Sequence, residues 1–186
     1  VNDVLVRARD LIGRPVVTLG GERVGELKDV VLGLGRGVLV GFTLRNPGFL
    51  GGPKRETLLW GSVHAVGPDA VMVPGTDAFA SPEDLAAGGG HRTVDLPLVT
   101  DDGQTLGRIV DVVLETGTRA QVVGFEIEPA PSLPSNGHRL LLPIDAMAAA
   151  SEEAVVVPAS VRHFVRDDLT GFGAAVAGFR AMSEES

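Results

Sequence analysis

Gly21-Glu22-Arg23-Val24-Gly25-Glu26-Leu27-Lys28-Asp29-Val30-Val31-Leu32 returns 82 residues later as Gly103-Gln104-Thr105-Leu106-Gly107-Arg108-Ile109-Val110-Asp111-Val112-Val113-Leu114. Each stretch opens on a turn glycine. A second glycine follows four residues on, an aspartate four residues after that, and each closes on Val-Val-Leu. The early residues alternate apolar and polar, and the last three are continuously apolar. That is the pattern of a long strand that becomes buried on both faces. A glycine inside such a strand marks a bulge or tight bend, and the aspartates suit backbone hydrogen bonds beside it. Two copies of one structural requirement explain the recurrence better than two active sites.

Working outward, Asp10-Leu11-Ile12-Gly13-Arg14-Pro15-Val16-Val17 leads into a short strand near 16–19, and Gly20-Gly21 supplies the positive φ of a hairpin turn. After the long strand, Gly33-Leu34-Gly35-Arg36-Gly37 turns the chain. Val38, Val40, Phe42 and Leu44 then share one face of a third strand. Arg45 to Glu56 reads as a loop, broken by Asn46-Pro47-Gly48 and Gly51-Gly52-Pro53. Leu58-Leu59-Trp60 is a fourth strand, Ser62 to Ala65 a helical turn, and Ala70 to Val73 a fifth strand. The second copy repeats this order: Leu98–Thr100, Gln104–Glu115, Gln121–Glu128, Leu140–Pro143, a turn at Asp145-Ala146-Met147, and Ala154–Val157. The offset drifts from 82 at the core motif to 83 at Gly41-Phe42 against Gly124-Phe125, as loop insertions in a duplicated unit produce.

The organisation that follows is a first domain over 1–78, a linker over 79–93, a second domain over 94–160 and a tail over 161–186. In the linker, Ser81-Pro82-Glu83-Asp84 has helix-start chemistry and Gly88-Gly89-Gly90 ends the short helix. In the tail, Leu169, Phe172, Val176 and Phe179 form one face of a helix over 168–182, with Asp167 and Asp168 at its N-terminus. Three glycines weaken it, so it needs a surface to dock on.

The chain has 186 residues, 44% hydrophobic and 22% charged, a globular balance. With 25 glycines, 12 prolines and few aromatics, short strands and tight turns are favoured over long helices. No apolar run approaches a membrane span, and Val1-Asn2-Asp3-Val4-Leu5-Val6-Arg7 lacks the pattern of a signal peptide. Val1 is compatible with a valine-coded start or a cut boundary. There are no cysteines, hence no disulfides and no thiolate metal site. A cytoplasmic location is expected. The net charge of −8 is uneven: residues 1–78 carry nine Lys/Arg against eight Asp/Glu, residues 79–186 seven against sixteen. An acidic chain repels phosphate backbones, so direct nucleic-acid binding is not expected.

His64, His91, His138 and His163 lie far apart. The i,i+4 pairs His91/Asp95 and His163/Asp167 fall on no clear helix, so no metal site is read from them. The Gly33–Gly37 run is followed by no helix, and no Gly-Lys-Ser/Thr occurs; it is a turn rather than a phosphate loop. No nucleophile elbow is present. Phe49-Leu50 stands out, an apolar pair between Arg45 and Lys54-Arg55 in a loop of breakers. Either it folds back to cap the strands, or it is a basic-rimmed apolar contact for a partner.

Leu11-Ile12-Gly13-Arg14-Pro15-Val16, Gly21-Glu22-Arg23-Val24-Gly25, Lys28-Asp29-Val30-Val31 and Leu58-Leu59-Trp60 together resemble the PRC-barrel family, well over about 8–75 and less well over 94–158. Its relatives include the photosynthetic reaction centre H subunit and the C-terminal domain of the ribosome maturation factor RimM. The resemblance implies an all-β fold of two small, mostly antiparallel barrels in tandem, with a linker helix and a C-terminal helix. It implies a docking module without catalytic residues or cofactor. Unlike in the reaction centre H subunit, no membrane helix is expected ahead of the first copy, and in the second copy Leu96-Pro97-Leu98-Val99 lacks the glycine of Leu-Ile-Gly-Arg-Pro. The expected function is a non-catalytic protein-protein adaptor, its partner another protein or a second copy of the chain. The expected partner-binding residues are Arg45, Phe49, Leu50, Lys54, Arg55 and Trp60, with Leu169, Phe172, Val176 and Phe179 as the tail-helix contact. The alternatives are a ribosome-maturation-like factor contacting a ribosomal protein, and a small-ligand protein or enzyme with a pocket between the barrels.

Overall fold

A computed structural model describes residues 4–32, 39–48, 50–87, 94–116, 121–144 and 149–185. The turn read at Gly33–Gly37, the glycines 88–90, His91, the turn at Asp145–Met147 and Phe49 lie outside the described residues. The chain is mostly β. Strands β1 (Leu5–Arg7), β2 (Pro15–Thr18), β3 (Arg23–Leu32), β4 (Leu39–Arg45), β5 (Pro53–Leu59), β6 (Ala65–Val66), β7 (Val71–Val73) and β8 (Phe79–Ala80) precede helix α1 (Pro82–Ala87). Strands β9 (Pro97–Thr100), β10 (Thr105–Glu115), β11 (Gln121–Pro129), β12 (Leu140–Pro143), β13 (Ala149–Ala150) and β14 (Val155–Val157) precede helix α2 (Leu169–Glu184).

One sheet runs β6-β7-β2-β3-β4-β5-β8, the other β13-β14-β9-β10-β11-β12, so the order of the first six strands repeats. In each, a short strand joins in parallel (β7 on β2, β14 on β9) and the other neighbours are antiparallel. The motif glycines sit at irregularities of register. On β3 the pairing slips beside Gly25, before Asp29 and after Val31; on β10 it slips beside Gly107, before Asp111 and after Val113. These bulges bend one long strand so that it serves two directions of a curved sheet.

Three stretches differ from the sequence reading. The helical turn expected over 62–65 is a 3₁₀ turn at Trp60–Ser62, which takes Trp60 out of the strand, and Ala65 and Val66 pair with Met72 and Val71 as β6. Strand β5 begins at Pro53, not Leu58, because Arg45 pairs with Pro53 and Thr43 with Thr57. The loop therefore shortens to 46–52, and Lys54 and Arg55 lie on a strand. The stretch 79–93 holds more than a connection: Phe79 and Ala80 pair with Leu58 and Thr57, and α1 packs on β5. Ser81 caps α1. Its hydroxyl accepts the Asp84 N–H, while the Asp84 carboxylate accepts from the Ser81 N–H and hydroxyl.

The tail repeats that arrangement. Arg166 bridges to Leu141 of β12 through two backbone hydrogen bonds, then α2 packs on β12. Asp168 caps α2 by accepting the Gly171 N–H at 2.8 Å. Phe172, Val176 and Phe179 are buried, with Leu169 half-buried at the edge. Each helix lies over a strand glycine: a Cβ on Gly41 would meet Leu85 Cδ1 of α1 at 2.9 Å, and one on Gly124 would meet Phe172 Cε1 of α2 at 2.9 Å.

The N-terminal strand crosses over. β1 does not join the first sheet but pairs with Val113–Glu115 of β10, on the edge whose other half is taken by β9. The 3₁₀ turn Ala8–Leu11 that follows buries Ala8 and Leu11 and touches both β3 and β10. One apolar cluster, from Leu11, Leu27 and Phe42 to Ile109, Phe125 and Leu142, runs through both sheets.

Candidate interaction site

The β2–β3 turn and the β4–β5 loop lie at one end of the first sheet, and both expose apolar side chains. Leu19 is 57% exposed and Leu50 is 93% exposed. The loop beneath Leu50 is held from inside by one carboxylate. Glu26 is buried on β3, opposite Arg45 of β4. Its carboxylate accepts from Arg45 Nε at 2.7 Å, from the Gly48 N–H at 3.4 Å, and from Arg23. Burial pushes the Glu26 carboxyl up, but the Gly48 N–H and the two guanidinium groups outweigh it and hold the group below the usual glutamate range. Asn46 N–H donates to Gly52 O at 2.9 Å and Gly51 N–H to Gly48 O at 3.0 Å. The loop is thus ordered by its own bonds and does not depend on burying Leu50.

The cations expected around it divide by role. Arg45 is tied to Glu26 yet remains 44% exposed. Lys54 Nζ donates to Val24 O at 2.9 Å and lies 4.3 Å from the Phe79 ring centroid, so it fastens β5 and β8 to β3. Arg55 is exposed on β5. Trp60 is half-buried, edge-on to Phe42 with ring centroids 5.9 Å apart, and belongs to the core margin. Phe49 lies outside the described residues. The structure therefore brings Arg45, Leu50 and Arg55 to one end of the sheet and places Lys54 and Trp60 in structural roles. The tail residues are elsewhere: Phe172 and Val176 pack on Val113, Val123 and Leu141 of the second sheet.

At the matching end of the second sheet lies an open groove of about 400 Å³, lined by Asp95, Pro97, Thr105, Gly107, Arg108, Glu128, Pro129 and Ala130. Arg108 opposes Glu128 across the strands and bonds it at 2.7 Å, with Asp95 3.8 Å away. Glu128 beside it holds the Arg108 proton more tightly than usual.

A second charged group was missed from sequence. Asp111 of β10 opposes Glu126 of β11, and both are buried. Arg7 Nε donates to Glu126 at 2.8 Å, Arg9 Nη2 lies 3.0 Å from Glu126 Oε2, and Arg139 lies 3.7 Å from it. Asp111 accepts the Arg9 backbone N–H at 3.3 Å and the Val112 N–H at 2.8 Å. Burial raises the Asp111 carboxyl above its ordinary value, against the lowering effect of these N–H groups and the Arg9 charge. Its counterpart Asp29 is 66% exposed and meets Thr43 Oγ1 at 3.4 Å. Arginines at 7 and 9 are separated from Glu126 by over a hundred residues, so no local pattern announces the cluster. Among the described residues, no three His, Cys, Asp or Glu side chains gather as a metal site.

Residues 3–79 match the family model of the PRC-barrel domain. No curated protein matches the chain. No helix among the described residues is long and apolar enough to cross a membrane.

Proposed function

We propose that this chain is a non-catalytic protein-protein interaction module built from two PRC-type barrels in tandem, working in the cytoplasm. The second barrel is read from the repeated strand order and the repeated bulges beside Gly25 and Gly107. The observation that carries the function is Leu50, 93% exposed on a loop fixed by the buried Glu26 carboxylate. An apolar side chain held out on an ordered loop loses little conformational freedom on docking, which favours binding. Arg45 and Arg55 beside it favour an acidic partner surface and steer encounter more than they add affinity.

The experiment is affinity capture from host lysate with wild type and Leu50→Asp, each checked by circular dichroism. Loss of specific proteins from a folded Leu50→Asp variant supports the reading. An unchanged set of captured proteins overturns it and leaves the loop as an end cap.

A further inference from the structure

The open groove of the second sheet and the Leu50 loop of the first are chemical complements. They occupy matching strand ends, marked by cross-strand ion pairs of reversed sign. On β3 and β4 the pair is Glu26 opposite Arg45; on β10 and β11 it is Arg108 opposite Glu128. In the first sheet the loop 46–52 closes over Glu26 through the Gly48 N–H. In the second, the chain after Pro129 is drawn to the strand beside it, with Ala130 N–H on Leu106 O at 2.8 Å and Ser132 Oγ near Thr105 O at 3.4 Å. Arg108 stays 55% exposed, and it lines the open groove together with Gly107, whose own Cβ position is filled by the Glu128–Pro129 backbone.

Pro97, Gly107, Pro129 and Ala130 give this groove an apolar floor, and Asp95 and Glu128 stand exposed on its rim. Arg108 is a like charge to the incoming loop, but both acids engage it, so the rim keeps a net charge of −1. At the Leu50 end, Arg23, Arg45, Lys54 and Arg55 against Glu22, Glu26 and Glu56 leave +1.

We infer that the groove receives the Leu50 loop of a second copy of this chain. The inference rests on the reading of Leu50 as a contact residue and names its partner. The contact is heterologous, so every bound pair keeps one free loop and one free groove, and assembly continues into a ring or a chain. One leucine and a few rim charges make a small interface, so association is weak, concentration-dependent and reduced by salt.

Sedimentation of the full chain over a concentration series tests this. Wild type should gain mass with concentration. Leu50→Asp, lacking the loop contact, and Ala130→Trp, with the groove filled, should each remain monomeric. An equimolar mixture of the two should form a one-to-one dimer, since the intact Leu50 of one meets the intact groove of the other. Glu128→Arg replaces Ala130→Trp if the latter is misfolded by circular dichroism. A wild-type monomer at the highest soluble concentration, or a groove variant that assembles like wild type, overturns the inference. If wild type is monomeric while Leu50→Asp loses captured proteins, only this self-docking falls and the interaction reading stands. If capture is unchanged as well, both fall.

Discussion

Single residues in this chain are explained by what lies over them. Gly41 and Gly124 share a sequence context, and in both a Cβ would collide with the carbonyl of the neighbouring strand (Leu58 or Leu142) and with the helix above. Gly41→Ala and Gly124→Ala should each lower stability by about 1–3 kcal/mol, the usual cost of overpacking; urea midpoints measure it. Gly21→Ala, strained by its positive φ but open to solvent, should cost less. Glu26 carries a pH prediction. Its folded pKa is depressed, so it stabilises the fold above its unfolded value, and this is lost as pH falls through the folded one. Asp111 has the opposite sign: raised in the fold, it contributes below the unfolded value and loses that contribution as pH rises. Relative to wild type, Glu26→Gln should therefore flatten the acid-side fall in stability and Asp111→Asn should steepen it. Chemical denaturation at a series of pH values decides, and parallel curves would refute the assignment. Asp29 and Asp111 are alike in sequence, yet only Asp111 has Arg9 and the 3₁₀ turn over it. The repeat made the position legible; burial depended on a segment a hundred residues away.

At the level of elements, local pattern was informative wherever it decided the structure. β3 spans the residues its alternation and apolar run predict, and the serine cap of α1 is visible in four letters. The β5 start was hidden because Pro53 reads as a breaker, although proline is tolerated at the first position of a strand. The tail looked unlike the first half, since sixteen residues of α2 and six of α1 share no motif. Their equivalence lies in the glycine beneath each. α2 covers Val113, Val123 and Leu141 with Phe172 and Val176, and each large apolar side chain so buried is worth about 1.5–3 kcal/mol. Truncation after Val165 should lower the melting temperature and create a dye-binding apolar face. An unchanged melting curve, with fast amide exchange over 169–184 in the intact chain, would show that α2 contributes nothing.

For the whole molecule, the N-terminal segment matters more than its length suggests. β1 closes half an edge of β10, Ala8 and Leu11 fill the core between β3 and β10, and Arg7 and Arg9 offset the buried Asp111 and Glu126. The second half cut out as residues 94–186 would keep Arg139, 3.7 Å from Glu126, as the described arginine facing the two acids. Removing the partners of a buried charge costs about 3–5 kcal/mol when the pair is fully buried. Here the arginines are partly exposed, so the ionic loss is smaller, but the missing apolar contacts add to it. Against a total stability of about 5–15 kcal/mol for a typical domain, this is enough to unfold a half-length fragment. Residues 94–186 alone should therefore give a poorly dispersed amide spectrum. The same fragment carrying residues 4–12 ahead of it on a long Gly/Ser linker should recover dispersion and a cooperative melt. Arg7→Ala with Arg9→Ala in that fusion should undo part of the recovery, which separates the charges from the apolar contacts. If residues 94–186 alone melt cooperatively at the temperature of the fusion, the crossing strand is an ornament of the first half and the two sheets fold independently.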